Sequence, residues 1–188
     1  MISGFLKDFN VLTDIEINNF LQMGKIRHLS KGDFFIREGK LCKEVAFINS
    51  GILRTFFTPE SGEEITYCIT FPNTLVTAYS ALITSLPTLE NIQAVSSCEL
   101  LVVQKTDVDQ LSQSSLNWTR FFKIIAEQQY IELEKRLFLF QKEKAKKRYI
   151  DLLENQPAYI QQIPLQYLAS YLGITPRHLS RLRKEIVF

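Results

Sequence analysis

Apolar and polar residues change rhythm twice along this chain of 188 residues. In the first stretch, residues 5–24, Ile17, Phe20 and Leu21 recur three and four apart, which predicts a helix with one buried face. Thr13 or Asp14 is placed to cap it. From about Arg27 to Gln104 the rhythm shortens. Runs rich in β-branched and aromatic residues (VAFINS, ILRTFF, EITYCIT, LLVVQ) alternate with turn signals such as Lys31-Gly32-Asp33, Glu38-Gly39-Lys40, Asn49-Ser50-Gly51 and Ser61-Gly62-Glu63. All but one of the 7 glycines lie before residue 63, which predicts a compact antiparallel roll or barrel with tight corners.

After Asp107 the pattern becomes helical and stays so. Between about Asn117 and Lys147 there is neither glycine nor proline. Trp118, Phe122, Ile125, Tyr130, Leu133, Leu137 and Phe140 form a broad apolar stripe, and the last four are spaced as a heptad seam. Thirty residues of helix extend about 45 Å, more than a small domain covers. Either the β-region or a second copy of the chain must bury that stripe, and its breadth favours the second copy. Residues 145–155 predict a further helix with Tyr149, Leu152 and Leu153 inward, ended by Gln156-Pro157. The expected organisation is a β-roll over residues 1–114, a dimerisation helix over 115–144 and a small helical domain over 145–188.

The most informative stretch is Ile163–Ile186, IPLQYLASYLGITPRHLSRLRKEI. Pro164 suits the first position of a helix, and Leu165, Leu168, Ala169 and Leu172 form its inner stripe. Gly173 stands where the chain must turn left-handed to stop that helix. Thr175 is a good N-cap for a second helix, with Pro176 at its first position. Leu179, Leu182 and Ile186 face inward. Arg177, His178, Arg181 and Lys184 are left on one outer face, near the helix start. These features predict a helix-turn-helix whose second helix enters a DNA major groove, with Arg reading guanine and Thr175 and the helix N-terminus holding phosphate. Gln166, on the first helix, joins this candidate DNA face. Ala169 is small where the two helices must approach closely.

Charge supports that placement. The net charge is +2 overall, but residues 1–114 carry 9 basic against 13 acidic side chains, and residues 115–188 carry 13 against 7. The basic excess therefore lies with the helix-turn-helix. Lys142, Lys144, Lys146, Lys147 and Arg148 either add backbone contacts to DNA or form a solvated helix face. The 3 cysteines, Cys42, Cys68 and Cys98, are widely spaced and suggest reduced thiols instead of a metal site or disulfide framework. With 2 histidines, His28 and His178, a cupin-like metal centre lacks ligands, and no catalytic constellation stands out. No catalytic residue, metal or cofactor is expected. Neither a signal peptide nor a membrane span is apparent, so a cytoplasmic location is expected.

Taken together, Gly39, Gly51 and Gly62 with Lys31-Gly32-Asp33, the Ile92–Val103 stretch, the long helix and the 163–186 motif resemble the Crp/Fnr-type regulators. The resemblance covers nearly the whole chain. It implies an α+β architecture: a cyclic-nucleotide-binding-like antiparallel β-roll, a long dimerisation helix and a C-terminal helix-turn-helix. It also implies a homodimer, double-stranded DNA as partner, and a roll that binds either a small-molecule effector the sequence does not identify or none. Where cAMP-binding members present a Gly-Glu pair and an Arg followed by Ser or Thr, this chain has Thr77-Ala78 and Thr88-Leu89. The phosphate-neutralising Arg and the ribose-binding Glu are absent, so binding of cAMP in the usual way is not expected. At the family's Arg-Glu and following Arg positions stand Pro176, Arg177 and Arg181; only the last is kept, which implies a different operator. The sequence ends at Phe188, so the β-hairpin wing of many members is expected to be missing. The rival reading is a ligand-binding or protein-interaction module with a non-functional helix-turn-helix.

Overall fold

The computed structural model describes residues 2–186. Met1, Val187 and Phe188 lie outside the described residues, and with them the chain end on which the expectation of a missing wing rests. The chain adopts the expected α+β class, and its residues divide into two compact units, 1–57 with 69–127, and 58–68 with 128–188.

The first unit opens with α1 (Ile2–Asp8) and α2 (Asp14–Met23). The sequence suggested one helix over 5–24, but the chain breaks into two because Asn10 takes φ +53° and Thr13 starts a new helix. The Thr13 hydroxyl accepts from the Glu16 N–H while the Glu16 carboxylate accepts from the Thr13 N–H, a reciprocal cap that satisfies two otherwise orphaned donors.

Eight strands follow: β1 (Lys25–Leu29), β2 (Phe34–Ile36), β3 (Glu44–Ser50), β4 (Leu53–Phe57), β5 (Ile65–Thr70), β6 (Leu75–Val76), β7 (Asn91–Ala94) and β8 (Cys98–Gln104), with α3 (Tyr79–Thr84) between β6 and β7. One sheet runs β1-β8-β3-β6 and the other β2-β7-β4-β5, the last strand giving this unit only Ile69 and Thr70. Pairing is antiparallel, with Ala46 opposite Val102 and Thr55 opposite Ile92. Gly51, at φ +88°, makes the β3–β4 corner; a Cβ there would overlap the Ser97 carbonyl oxygen and Cys98, so the close approach requires glycine. Inside the roll, Leu29, Phe35, Ile48, Leu53, Ile92 and Leu100 are buried with their neighbours in one apolar cluster.

Alternation sends Phe47, Leu101 and Val103 to the other face of the first sheet, where α1, α2, α4 (Lys105–Ser114) and the start of α5 (Leu116–Lys142) cover them. Trp118 is 1% exposed in this second core, against Phe20, Phe121 and Phe122, and Phe122 and Ile125 pack on it as well. Trp118 therefore does not belong to the free seam predicted for α5: its surface is spent inside its own unit.

The second unit contains the end of α5, α6 (Ala145–Asn155), α7 (Pro157–Gln162), α8 (Leu165–Tyr171) and α9 (Pro176–Ile186), together with residues 58–68. Tyr149, Leu152, Ile163, Leu168, Ala169, Leu172, Leu179 and Leu182 are buried in it. Leu153 and Leu165, expected on inner faces, are exposed. Pro164, expected as the first residue of α8, is instead its cap, so Leu165 stands at the very start of the helix. Helix α7 was not foreseen; Pro157 ends α6 as expected but also begins a new turn of helix.

Candidate nucleic-acid interface

The α8–α9 hairpin is closed by a sequence of local hydrogen bonds. Gly173 takes φ +66°, its N–H donates to the Ser170 carbonyl (2.9 Å), and the Ile174 N–H donates to the Ala169 carbonyl (3.0 Å). These are the two bonds of a Schellman stop, which satisfies carbonyls that the end of α8 leaves free. Two residues later the Thr175 hydroxyl accepts from the His178 N–H (3.2 Å), capping α9, and Pro176 is the first helical residue. Ala169, fully buried, lies on the packed face of α8.

With Leu179 and Leu182 buried below, Arg177, His178, Arg181 and Lys184 are all exposed on α9, as are Thr175 at its cap and Gln166 on α8. Arg177, Arg181 and Lys184 are spaced four and three apart and share one face. Arg183 lies elsewhere: it reaches inward and donates to the Ile160 carbonyl (3.3 Å). Helix α9 and its cap thus carry three cations, an imidazole and a hydroxyl, beginning at a helix end whose dipole favours anions.

The sequence did not reveal what fixes this hairpin to α5. Arg136 donates to the Tyr171 carbonyl (3.0 Å), and Arg148 donates to the Leu172 carbonyl through Nε (3.2 Å) and Nη2 (2.9 Å) and to the Glu143 carbonyl (2.7 Å). Two guanidiniums therefore gather at the negative end of α8. Burial, with Arg136 nearby, lowers the pKa of Arg148. Both cations lie over the Phe140 ring, at 4.9 and 4.6 Å, and Arg136 also stacks on Tyr171 at 3.9 Å. Arg148 thus leaves the set of five basic residues that flanked this region in the sequence. Lys142 stacks on Phe138, Lys146 is 3.7 Å from Glu185, and Lys144 and Lys147 are exposed.

Ser170 makes a second unforeseen link. Its hydroxyl accepts from the Thr66 N–H (2.9 Å) and donates to the Glu64 carbonyl (3.0 Å), attaching the 58–68 segment to α8. Tyr159 and Tyr171 pack together at 5.2 Å, and burial raises the pKa of both phenols.

On α5, Tyr130, Leu133 and Leu137 are 65%, 62% and 51% exposed, and Ile131 and Phe138 are exposed beside them. Phe140 is half-covered by the two arginines.

In the roll, the four positions aligned with the cyclic-nucleotide site separate. The Thr77 hydroxyl donates to the Glu44 carbonyl (2.8 Å) and lies 3.2 Å from the Cys42 thiol; Ala78 is fully buried at the start of α3. Thr88 is buried, while Leu89 is 82% exposed and lines no interior pocket. None of the four supplies a charge. Among the described residues, no three His, Cys, Asp or Glu side chains group as a metal site, and no helix is long and apolar enough to cross a membrane.

Residues 26–115 match the family model of the cyclic nucleotide-binding domain. No curated protein matches the chain. Among solved structures, it resembles FixK2 from Bradyrhizobium japonicum (13% identity, 87% of this chain and 84% of that one, TM-score 0.77). It also resembles the catabolite activator protein of Thermus thermophilus (22%, 95% and 85%, TM-score 0.61) and the c-di-GMP responsive global regulator CLP of Xanthomonas campestris (18%, 93% and 91%, TM-score 0.67). The chain therefore shares its fold with these three structures.

Proposed function

We propose that this protein is a homodimeric, DNA-binding transcriptional regulator of the Crp/Fnr type. The observation that carries the reading is the α8–α9 hairpin: a Schellman stop, a threonine cap and an outward face holding Arg177, Arg181 and Lys184. An arginine pointing into a major groove can take guanine O6 and N7 together, and Thr175 with the helix start can hold a phosphate. The exposed apolar side chains of α5 at Tyr130, Leu133 and Leu137 support pairing with a second copy, which presents two reading helices one DNA turn apart. Such a protein works in the cytoplasm, where its DNA is.

The roll does not take cAMP in the usual way, because Thr77, Ala78, Thr88 and Leu89 supply neither the cation for the phosphate nor the carboxylate for the ribose. An effector of another chemistry, acting on the equilibrium between DNA-competent and incompetent states, fits the fold. Calorimetric titration with cAMP is expected to show no binding at micromolar concentrations; saturable micromolar binding would overturn this part.

The central test is selection from a randomised duplex library, using the wild type and an Arg177→Ala/Arg181→Ala variant. Each bidentate base contact discriminates by about 1–3 kcal/mol, so the variant should lose enrichment of a two-fold symmetric site. A well-folded dimer that enriches nothing at low salt, with or without candidate effectors, would favour a ligand-binding or protein-interaction module instead.

A further inference from the structure

The first unit carries a second basic surface, far in sequence from the DNA-reading helix and different in character. The Gly39 N–H donates to the Thr88 carbonyl and the Thr88 N–H to the Lys40 carbonyl, both at 2.8 Å, and Leu41 bridges Pro87. Residues opposite one another in an antiparallel pair face the same side, so Leu41 and Pro87 share one side, and both are exposed, as is Leu89 two residues on. Leu41 is 51% exposed there, with Leu86 at 63% and Ile83 at 62% on the adjoining loop and helix α3. Apolar side chains exposed singly are ordinary, but grouping on one short stretch of surface is the mark of an interaction site.

Two grooves, of about 410 and 370 Å³, adjoin this patch and share Leu41, Cys42, Lys43 and Gln104 as a common wall. Their size admits one or two large apolar side chains each. The larger is lined by Arg37, Lys40 and Lys43 and by one carboxylate, Glu44, which Arg27 already holds in a two-point ion pair at 2.7 and 2.8 Å. The Arg37 guanidinium lies 3.6 Å from the Phe34 ring centroid, which orients it without neutralising it. Among the described residues, Lys40 and Lys43 make no ion pair within 4.0 Å. In the smaller groove Lys105 is paired with Asp109 at 2.6 Å. Within the groove linings the uncompensated charge is therefore positive, with Leu41 beside it; the exposed Glu38 lies outside both linings.

We propose that this surface docks a short acidic segment of a partner protein with apolar side chains at helical spacing. The apolar face would be laid against Leu41, Leu86 and Leu89, and its carboxylates against Arg37, Lys40 and Lys43. Concave grooves walled by Leu41 and lysines suit inserted side chains better than the flat plane of a lipid surface. A small anion would use the cations and leave the leucines exposed. This inference is independent of the DNA-binding reading.

The test uses the full chain with the Arg177→Ala/Arg181→Ala substitutions as background, so that the reading face does not attract the ligand. A fluorescein-labelled helical peptide of about 18 residues carries Leu along one face and Glu elsewhere. Its anisotropy titration is compared with that of the same peptide bearing Lys for every Glu, with anionic phosphatidylglycerol vesicles and with inorganic pyrophosphate. Binding of the acidic peptide alone is expected. It should weaken about tenfold in Lys40→Glu/Lys43→Glu and comparably in Leu86→Ser/Leu89→Ser, both confirmed folded by circular dichroism. Three results would overturn the proposal: equal binding of both peptides, indifference to the leucine changes, or retention of vesicles or pyrophosphate with no peptide binding.

Discussion

Replacing Gly173 by alanine tests the account of the hairpin most directly. The residue sits at φ +66°, where an L-residue with a Cβ costs about 1–2 kcal/mol. A Cβ would also lie 2.8 Å from Cε1 of Phe140, closer than unstrained carbon atoms approach. That ring is held between Arg136 and Arg148, so its displacement adds about 1 kcal/mol. Alanine stiffens the unfolded chain, which returns about 0.4–1 kcal/mol, and the net destabilisation is about 2 kcal/mol. Urea denaturation resolves where the loss falls. The single tryptophan, Trp118, is buried in the first unit, so its fluorescence reports that unit, whereas far-ultraviolet circular dichroism reports the helices of both. Gly173→Ala should shift the dichroism transition and leave the fluorescence transition in place. In a Phe140→Ala background the cost should fall by about 1 kcal/mol, the part due to the ring. Asparagine, which tolerates the left-handed region, should cost less than alanine. A cost under about 0.5 kcal/mol, or one unchanged by Phe140→Ala, would refute the reasoning.

Two carboxylates give opposite pH signatures in the first unit. Burial acts against ionised Glu16, but hydrogen bonds from Ser115, Thr13 and Asn117 together outweigh it and bring its pKa from 4.5 to about 2. A group depressed in the fold stabilises fully above its unfolded pKa and loses that contribution as pH falls through its folded one. The advantage of wild type over Glu16→Gln, followed by Trp118 fluorescence in urea, should therefore shrink between about pH 4.5 and 2, and a constant difference would contradict it. Burial has the reverse effect on Glu90, raising its pKa to about 7. There the folded state keeps a proton that the unfolded chain has lost, so stability declines as pH rises from about 4.5 to 7. Glu90→Gln should remove that decline, and an unchanged slope across this window would count against it.

The hairpin was legible in the sequence because everything that shapes it is local: Gly173 stops one helix, Thr175 and Pro176 start the next, and the inner leucines recur at helical spacing. Alternation and glycine corners likewise revealed the roll. What escaped depends on partners distant in the chain. Nothing near Ser170 signals that its hydroxyl bonds to Thr66 and Glu64, more than 100 residues away. Similarly, a basic run from Lys142 to Arg148 does not show that its last member is committed to the Leu172 carbonyl. Helical spacing placed Trp118 on the α5 stripe, but spacing gives the face and not its neighbour, and α1, α2 and α4 were the neighbours.

That division of α5 bears on the proposed dimer. Its N-terminal half spends Trp118, Phe121, Phe122 and Ile125 on its own unit, which leaves an exposed seam over residues 130–138. Nine residues of helix extend about 14 Å, little more than one heptad, whereas a stable interface buries roughly 800 Å² on each partner. Tyr130, Ile131, Leu133, Leu137 and Phe138 fall short of that area even if fully covered. Pairing through this seam alone is therefore weak, and a two-site operator would select the dimer by making its second contact intramolecular. Sedimentation should show a dimer that dissociates on dilution and is held together by duplex DNA, with Leu133→Ser/Leu137→Ser remaining monomeric. A dimer that persists on dilution in that variant would place the interface elsewhere on the chain.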